Sequence, residues 1–193
     1  MIAMAAAFPA PPALLPMTQI RCEVDALVSL GAAPAGERRY VPLGSGTARG
    51  PELNGELVAG GVDWQLARAD GVLEIAAHYV IRTEDGALVE VRSEGLRHGP
   101  AEVMQRLARG EAVPREAYFF RTLMRFTTGS PSWAHLNKVM AVAVGQRAVD
   151  DAVQGRHFRE AQAFVEFELR ALPMGLGLGL LGARARGATP SRT

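Results

Sequence analysis

Short runs in which apolar and polar positions alternate dominate the first half of the chain. In residues 72–83 nearly every second position is apolar, as in Leu73, Ile75, Ala77, Tyr79 and Ile81. A period of two is typical of a β-strand with one buried face and differs from the 3.6-residue period of a helix. Asp85-Gly86 follows directly, and this dipeptide favours a tight hairpin turn. We therefore expect 72–83 and 87–92 to form a β-hairpin.

The rest of the chain predicts more strands and little helix. Further strands are expected at 21–30, 40–43, 52–58, 64–67, 118–128, 139–144 and 163–170. One helix is expected over 100–110, with proline near its first turn and glycine at its end, and residues 132–136 are expected to form a single helical turn. Eight or more short strands with so little helix favour an antiparallel barrel or sandwich. A closed barrel leaves no strand edge exposed.

The chain has 193 residues, enough for one domain, which we place at residues 18–170. Prolines at positions 9, 11, 12 and 16 interrupt the apolar start of the chain. Residues 1–17 are therefore expected to be a disordered leader or the product of an upstream start codon, with Met17 as the natural first residue. Residues 171–193 are rich in Gly, Ala and Arg and are expected to form a flexible tail.

Composition argues against several classes of function. The net charge is +1 and basic residues do not interleave with aromatic ones, which argues against nucleic-acid binding. No run approaches the ~20 apolar residues of a membrane-spanning helix. The four histidines are scattered, and Gly44-Ser45-Gly46 lacks the lysine of a phosphate loop, so we expect no metal and no cofactor. The single cysteine, Cys22, fits a cytoplasmic protein and is interpreted as a buried structural thiol.

The segment Gly60-Gly61-Val62-Asp63-Trp64 carries the leading candidate residues. Paired glycines let a backbone pass where a Cβ would clash, or adopt positive φ. A carboxylate beside a large aromatic ring is a candidate for a raised pKa. Asp63 could therefore be an acid or base, with Trp64 as a wall for a flat ligand. The alternative is that Asp63 caps a turn and Trp64 lies in the core.

Three further residues are candidates, each with a structural alternative. Arg121 shares a strand face with Phe119 and could clamp a carboxylate or enolate, or it could point outward to an acidic partner. Tyr79, on the apolar face of its strand, could be a catalytic phenol or a packed core residue. Asn137 could orient a ligand carbonyl or tie down the preceding turn.

These features together resemble a bacterial and fungal family catalogued as domain of unknown function 3237. The resemblance covers about residues 21–147 and rests on the order of several motifs, among them Gly60-Gly61-Val62-Asp63-Trp64, Thr83-Glu84-Asp85-Gly86, Tyr118-Phe119-Phe120-Arg121, Thr128-Gly129 and Leu136-Asn137. It implies a lipocalin-like barrel that encloses a small pocket. The activity of such proteins is largely unassigned, so the resemblance informs the fold more than the function.

The chain departs from the family pattern in three places. Thr127 stands where the family usually carries Glu, so a pocket carboxylate would be missing if the Glu is one. Trp133 and His135 stand where Tyr and Trp are usual. Residues 148–162 resemble an insertion before the last strand.

We therefore predict an all-β protein with one or two short helices, built as an antiparallel, closed, lipocalin-like β-barrel. The leading hypothesis is a cofactor-independent enzyme (isomerase, cyclase or lyase) acting on a small apolar or aromatic carbonyl compound, with Asp63 as base and Arg121 and Tyr79 as stabilisers. The predicted ligand contacts are Trp64, Phe119, Thr128, Trp133 and Asn137. The alternatives are a non-catalytic binder of a small hydrophobic ligand and a scaffold whose interior is filled by its own side chains. Assembly into a homo-oligomer stays open.

Overall fold

The computed structural model describes residues 13–149 and 163–172, in which nine strands and three short helices lie. The strands are β1 (Leu15–Val24), β2 (Val28–Ala33), β3 (Gly36–Arg49), β4 (Gly55–Ala67), β5 (Leu73–Thr83), β6 (Leu88–His98), β7 (Phe119–Thr127), β8 (Met140–Val149) and β9 (Ala163–Ala171). The helices are α1 (Ala101–Ala108) and two 3₁₀ helices, Arg115–Ala117 and Pro131–Lys138. No helix in these residues has the length and apolar character needed to cross a membrane.

The strands form one closed antiparallel barrel. Each strand from β3 to β9 pairs with the next along the chain, and β1 pairs with both β9 and β3. Eight strands thus close the barrel, and β2 extends it as a hairpin with β3. The predicted closed, antiparallel barrel is confirmed.

The interior holds two apolar clusters, one towards each end of the barrel. The larger includes Tyr79, Ile81, Val91 and Met124 and reaches Leu136 of the second 3₁₀ helix, which is 2% exposed. The smaller lies under α1 and contains Leu73, Ile75, Leu107, Val113, Tyr118 and Phe120. The two ends are therefore covered by short helices, and the middle of the barrel lies between the clusters.

Two glycines re-aim strand β4. The predicted strands 52–58 and 64–67 form this single strand, whose register against β5 shifts between Val58 and Val62. Gly60 has a φ of +106°, and a Cβ on Gly61 would lie 2.7 Å from the Cβ of Tyr79. Both properties expected of paired glycines are present. Asp63 lies in mid-strand, opposite Val41 and Ala77, so the interpretation that it caps a turn is wrong.

Most other predicted elements occur with shifted ends. The helix and the single helical turn correspond to α1 and to the second 3₁₀ helix. Strand β1 begins at Leu15, ahead of the predicted boundary at residue 18, and Met17 is 2% exposed. The predictions for residues 1–12, for most of the 148–162 insertion and for the tail from residue 173 fall outside the described residues.

Candidate functional site

Asp63 points into the barrel. It shares the inward face of β4 with Gln65, which is 5% exposed and donates a 2.6 Å hydrogen bond from Nε2 to Asp63 Oδ2. The other carboxylate oxygen, Oδ1, is buried and has no hydrogen-bond partner. Half of this carboxylate is therefore held in place and half is unsatisfied.

Burial raises the pKa of Asp63 to about 6, from an ordinary value of 3.8. The hydrogen bond from Gln65, the charge of Arg97, the nearby Ala76 backbone N–H and the charge of Arg39 act in the opposite direction and limit the rise, although the Ala76 N–H does not meet hydrogen-bond geometry with Oδ1. A carboxyl group with a pKa near 6 can both accept and return a proton close to neutral pH.

Three arginines face the same interior from three different strands. Arg39 of β3 donates from Nε to Gln65 Oε1 at 3.2 Å. Arg147 of β8 donates from Nη1 to the carbonyl oxygen of Leu107 in α1 at 3.2 Å, while its backbone N–H donates to the Tyr118 hydroxyl at 3.0 Å. Burial lowers the pKa of Arg147 from its ordinary range, and the charge of Arg39 adds to that effect.

Burial affects the pKa of Arg97, on β6, more than that of Arg147. The guanidinium carbon of Arg97 lies 5.7 Å from the centroid of the Phe120 ring, and its Nε is buried without a hydrogen-bond partner. Burial, followed by the charges of Arg147 and Arg39, lowers the pKa of Arg97 to about 10. The three guanidinium groups are therefore close enough to repel one another, with Asp63 as the opposing charge beside Arg97.

Unsatisfied polar atoms concentrate at this level of the barrel. Four buried side-chain atoms without a partner occur in the described residues: Asp63 Oδ1, Ser93 Oγ, Arg97 Nε and Thr122 Oγ1. Ser93 and Arg97 share the inward face of β6. Thr122 lies on the neighbouring strand β7, opposite Gly95 of β6. Buried polar groups in native proteins are normally paired, so such a concentration points to a site that binds water or a ligand.

Tyr79 lies inside the barrel with Asp63. It is 5% exposed, and its hydroxyl contacts Met124 Sδ at 4.0 Å. Burial raises the pKa of the phenol above its usual range, and the charge of the Asp63 carboxylate adds to the rise. Tyr79 is therefore a neutral hydroxyl that can donate a hydrogen bond.

Three of the predicted site residues face outward instead. Trp64 is 39% exposed and packs 5.2 Å from Tyr40, on an open surface groove of about 350 Å³. Arg121 lies 5.3 Å from the Phe119 ring and donates to the carbonyl oxygen of Phe120 at 2.9 Å. Phe119 itself is 41% exposed. The structure therefore does not bring these side chains to Asp63, nor does it place Trp64 in the core.

Three other predicted residues stabilise one end of the barrel. Asn137 accepts from the Thr128 N–H at 2.8 Å and donates to the Thr128 carbonyl at 2.9 Å, which is the expected alternative of tying down the preceding turn. Thr128 Oγ1 donates to Leu88 O at 2.7 Å, and Trp133 Nε1 donates to the Asp85 carboxylate at 3.0 Å. These contacts hold the second 3₁₀ helix over the barrel end, away from the arginines under α1.

Two remaining candidates have plain structural explanations. Thr127 is exposed on the outer face of β7, so a Glu at this position would not supply an interior carboxylate. Cys22 is 4% exposed, and burial raises the pKa of its thiol to about 12, as expected for a structural thiol. In the described part of the chain, no group of three His, Cys, Asp or Glu side chains could hold a metal ion.

Sequence reasoning missed five interior residues: Arg39, Gln65, Arg97, Tyr118 and Arg147. A signal for them was available. Val89, Val91, Ser93, Gly95 and Arg97 continue one period-two face of β6, and Ala141, Ala143, Gly145 and Arg147 do the same in β8. A charged residue that continues an apolar face is a candidate for the interior, but the predicted strands 87–92 and 139–144 end before Arg97 and Arg147.

Comparisons with known proteins agree with this fold. A family model described as "Protein of unknown function (DUF3237)" matches residues 12–159. A UPF0311 protein of Rhodopseudomonas palustris is 34% identical over 138 residues, or 72% of this chain and 90% of that protein. Its crystal structure matches with a TM-score of 0.74 and 28% identity, covering 84% of this chain and 99% of that chain.

Two further solved structures share the barrel. A β-barrel-like protein from Acinetobacter baumannii has a TM-score of 0.65 and 31% identity, covering 85% of this chain and 98% of that chain. An enzyme from Penicillium herquei has a TM-score of 0.57 at 20% identity, covering 86% and 99%. By the extent of the family match and the similarity to its relatives, the chain belongs to the DUF3237 family of proteins of unknown function.

Proposed function

We propose that the barrel interior carries out cofactor-independent acid–base chemistry on a small apolar or aromatic carbonyl compound. The observation that carries the proposal is the buried Asp63 carboxylate, which has one unpartnered oxygen and a pKa of about 6. Isomerisation, cyclisation and elimination next to a carbonyl all need a base that removes a proton and returns it.

Arg97 takes the stabilising role that the sequence suggested for Arg121. A proton removed next to a carbonyl leaves an enolate, and a buried cation with a free N–H is suited to bind the enolate oxygen. Arg97 Nε meets both requirements, since it is buried and unpartnered. Tyr79, kept neutral by burial, supplies a second donor, a hydroxyl, inside the same barrel.

The fold is compatible with catalysis, because the Penicillium herquei protein that shares it is described as an enzyme. At 20% identity that likeness concerns the fold alone. The interior residues, and not this likeness, support catalysis, and they define the substrate only as a chemical class.

Proton transfer can be tested without the natural substrate. Incubation in D₂O with 2-tetralone and 4-phenylbutan-2-one, followed by proton NMR, reports exchange of the protons beside each carbonyl. The wild-type protein is expected to accelerate this exchange. Asp63→Asn should slow it by at least about 100-fold, since positioned bases contribute roughly 10²–10⁴-fold.

Glu56→Gln is the matched control, because Glu56 lies on the same strand as Asp63 but is exposed on the outer face. It should leave exchange unchanged. Exchange that persists in Asp63→Asn would show that Asp63 is not the base.

The alternative is a non-catalytic binder of a small hydrophobic ligand, and the two interior apolar clusters favour it as the second candidate. This alternative predicts saturable binding of the same ketones that persists in Asp63→Asn. It also predicts no exchange above the buffer rate in the wild-type protein, and that result would overturn the acid–base proposal.

A further inference from the structure

In the described part of the chain, the interior of the barrel holds more positive than negative charge. Arg39, Arg97 and Arg147 all occupy inward positions, and the charges of Arg147 and Arg39 lower the pKa of Arg97. Asp63 is the buried carboxylate that faces them. Glu37 lies 3.7 Å from Arg39 Nη1 but is 43% exposed at its side chain, so it is a solvated partner at the rim. Among the residues that the structure describes, three interior cations therefore face one interior anion.

Such an imbalance is unfavourable without a ligand. A buried ion is stable only when it is paired and its hydrogen-bonding groups are satisfied. Arg147 is partly satisfied by the Leu107 carbonyl, and Arg39 by Gln65. Arg97 Nε has no hydrogen-bond acceptor, and the charges of Arg147 and Arg39 lie nearby. A second anion beside Arg97 would supply the acceptor and balance the charge.

The surroundings of Arg97 restrict what that anion can be attached to. The guanidinium lies over the Phe120 ring, within the apolar cluster that also contains Ile75, Leu107 and Tyr118. An inorganic oxyanion would turn its remaining oxygens towards these buried apolar side chains, which cannot satisfy them. A planar carboxylate on an apolar or aromatic body would satisfy both the guanidinium fork and the cluster.

We propose that the ligand of this barrel is an organic carboxylate, whose carboxylate pairs with Arg97 between Arg39 and Arg147 and whose apolar body packs against Phe120. The position of the reacting carbonyl, at Asp63, rests on the proposed function. Combined with a carboxylate at Arg97, it makes the substrate class an apolar or aromatic oxo acid.

The test compares two probes of one shape, 3-phenylpropionate and the uncharged 3-phenylpropionamide, by isothermal titration calorimetry. The wild-type protein should bind the acid about tenfold or more tightly than the amide, as expected for a charge-assisted hydrogen bond. Arg97→Met removes the charge at similar volume and should abolish the preference. Arg92→Met is the matched control on the outer face of the same strand and should keep it.

Three results would overturn the proposal: equal affinity of the wild-type protein for the two probes, an acid preference that survives in Arg97→Met, or inorganic phosphate binding as tightly as 3-phenylpropionate.

If Arg97→Met fails to fold by circular dichroism, Arg39→Met supplies the second test and should weaken acid binding selectively. Asp63→Asn should bind the acid at least as tightly as the wild-type protein, because it removes a repelling charge. Loss of proton exchange in that variant is therefore distinguishable from failure of carboxylate binding.

Discussion

Opposing forces act on the Asp63 carboxylate. Removal from water favours its neutral form, while the Gln65 hydrogen bond and the charges of Arg97 and Arg39 favour its ionised form. Burial has the larger effect, so the pKa rises to about 6. The residue is thereby suited to proton transfer near neutral pH, and ionised Asp63 destabilises the folded barrel relative to the unfolded chain.

Asp63→Asn is predicted to stabilise the protein at pH 8. Because the folded pKa is raised, the contribution of Asp63 to stability is fully present below pH 3.8 and is lost as the pH rises through about 6. The shift corresponds to about 3 kcal/mol. In urea unfolding from pH 4 to pH 8, the free energy of unfolding of the variant should rise relative to that of the wild type. The difference should reach about 3 kcal/mol at pH 8.

Glu56→Gln, which changes an exposed carboxylate on the same strand, should follow the wild-type curve at every pH. If Asp63→Asn is no more stable than the wild type at pH 8, the carboxylate is not disfavoured by burial. A gain in stability together with a loss of proton exchange would be the trade-off expected of an active-site residue.

At the scale of the element, β4 shows how two glycines position the site. The bulge at Gly60-Gly61 lets the backbone pass close to Tyr79 before the strand resumes its pairing with β5. The alternation then places Asp63 and Gln65 inward and Trp64 outward. Bulges commonly re-aim side chains near functional sites.

Gly61→Ala is predicted to destabilise the protein by about 1–3 kcal/mol, the usual cost of overpacking. The new Cβ would lie 2.7 Å from the Cβ of Tyr79 and 3.0 Å from the His78 carbonyl oxygen, so the strands must separate. Denaturant unfolding measures this loss as a lower free energy of unfolding. Gly129→Ala is the control, because a Cβ there meets nothing within 4 Å; equal stability of the two variants would contradict the close approach.

Strand β4 also explains what the sequence could not reveal. Alternation predicted the strands of the β5–β6 hairpin because one face of each is apolar. In the second half of β4 the pattern is inverted, since the inward residues are Asp63 and Gln65 and the outward one is Trp64. Hydrophobicity alone assigns Trp64 to the interior. The inward placement of Asp63 and Gln65 is explained only by the arginines of other strands, Arg39 on β3 and Arg97 on β6. For β7 the evidence was present: Arg121 and Arg125 mark its outer face.

At the scale of the whole molecule, closure depends on β1. This strand pairs with β9 on one side and with β3 on the other, so the earliest and latest strands of the barrel meet at one seam. Cys22 lies opposite Gly46 there. Pairings between segments so distant in sequence form only after a large loss of chain entropy. The site needs this closure, since Arg39 on β3 and Arg147 on β8 face one interior only in a complete barrel.

Gly46→Ala is predicted to open the seam between β1 and β3. A Cβ at this position would overlap the carbonyl oxygen of Arg21 and lie 3.0 Å from the Cα of Cys22, and a backbone cannot yield as a flexible side chain can. Hydrogen–deuterium exchange read by mass spectrometry should show faster exchange in β1 and β3, while the β5–β6 hairpin keeps its protection. Gly44→Ala is the control on the same strand, because its Cβ would meet the side chain of Glu23 at 3.1 Å and should cost less. Unchanged exchange in Gly46→Ala would show that the seam tolerates a side chain, and equal loss of protection in every strand would show that it does not open independently of the barrel.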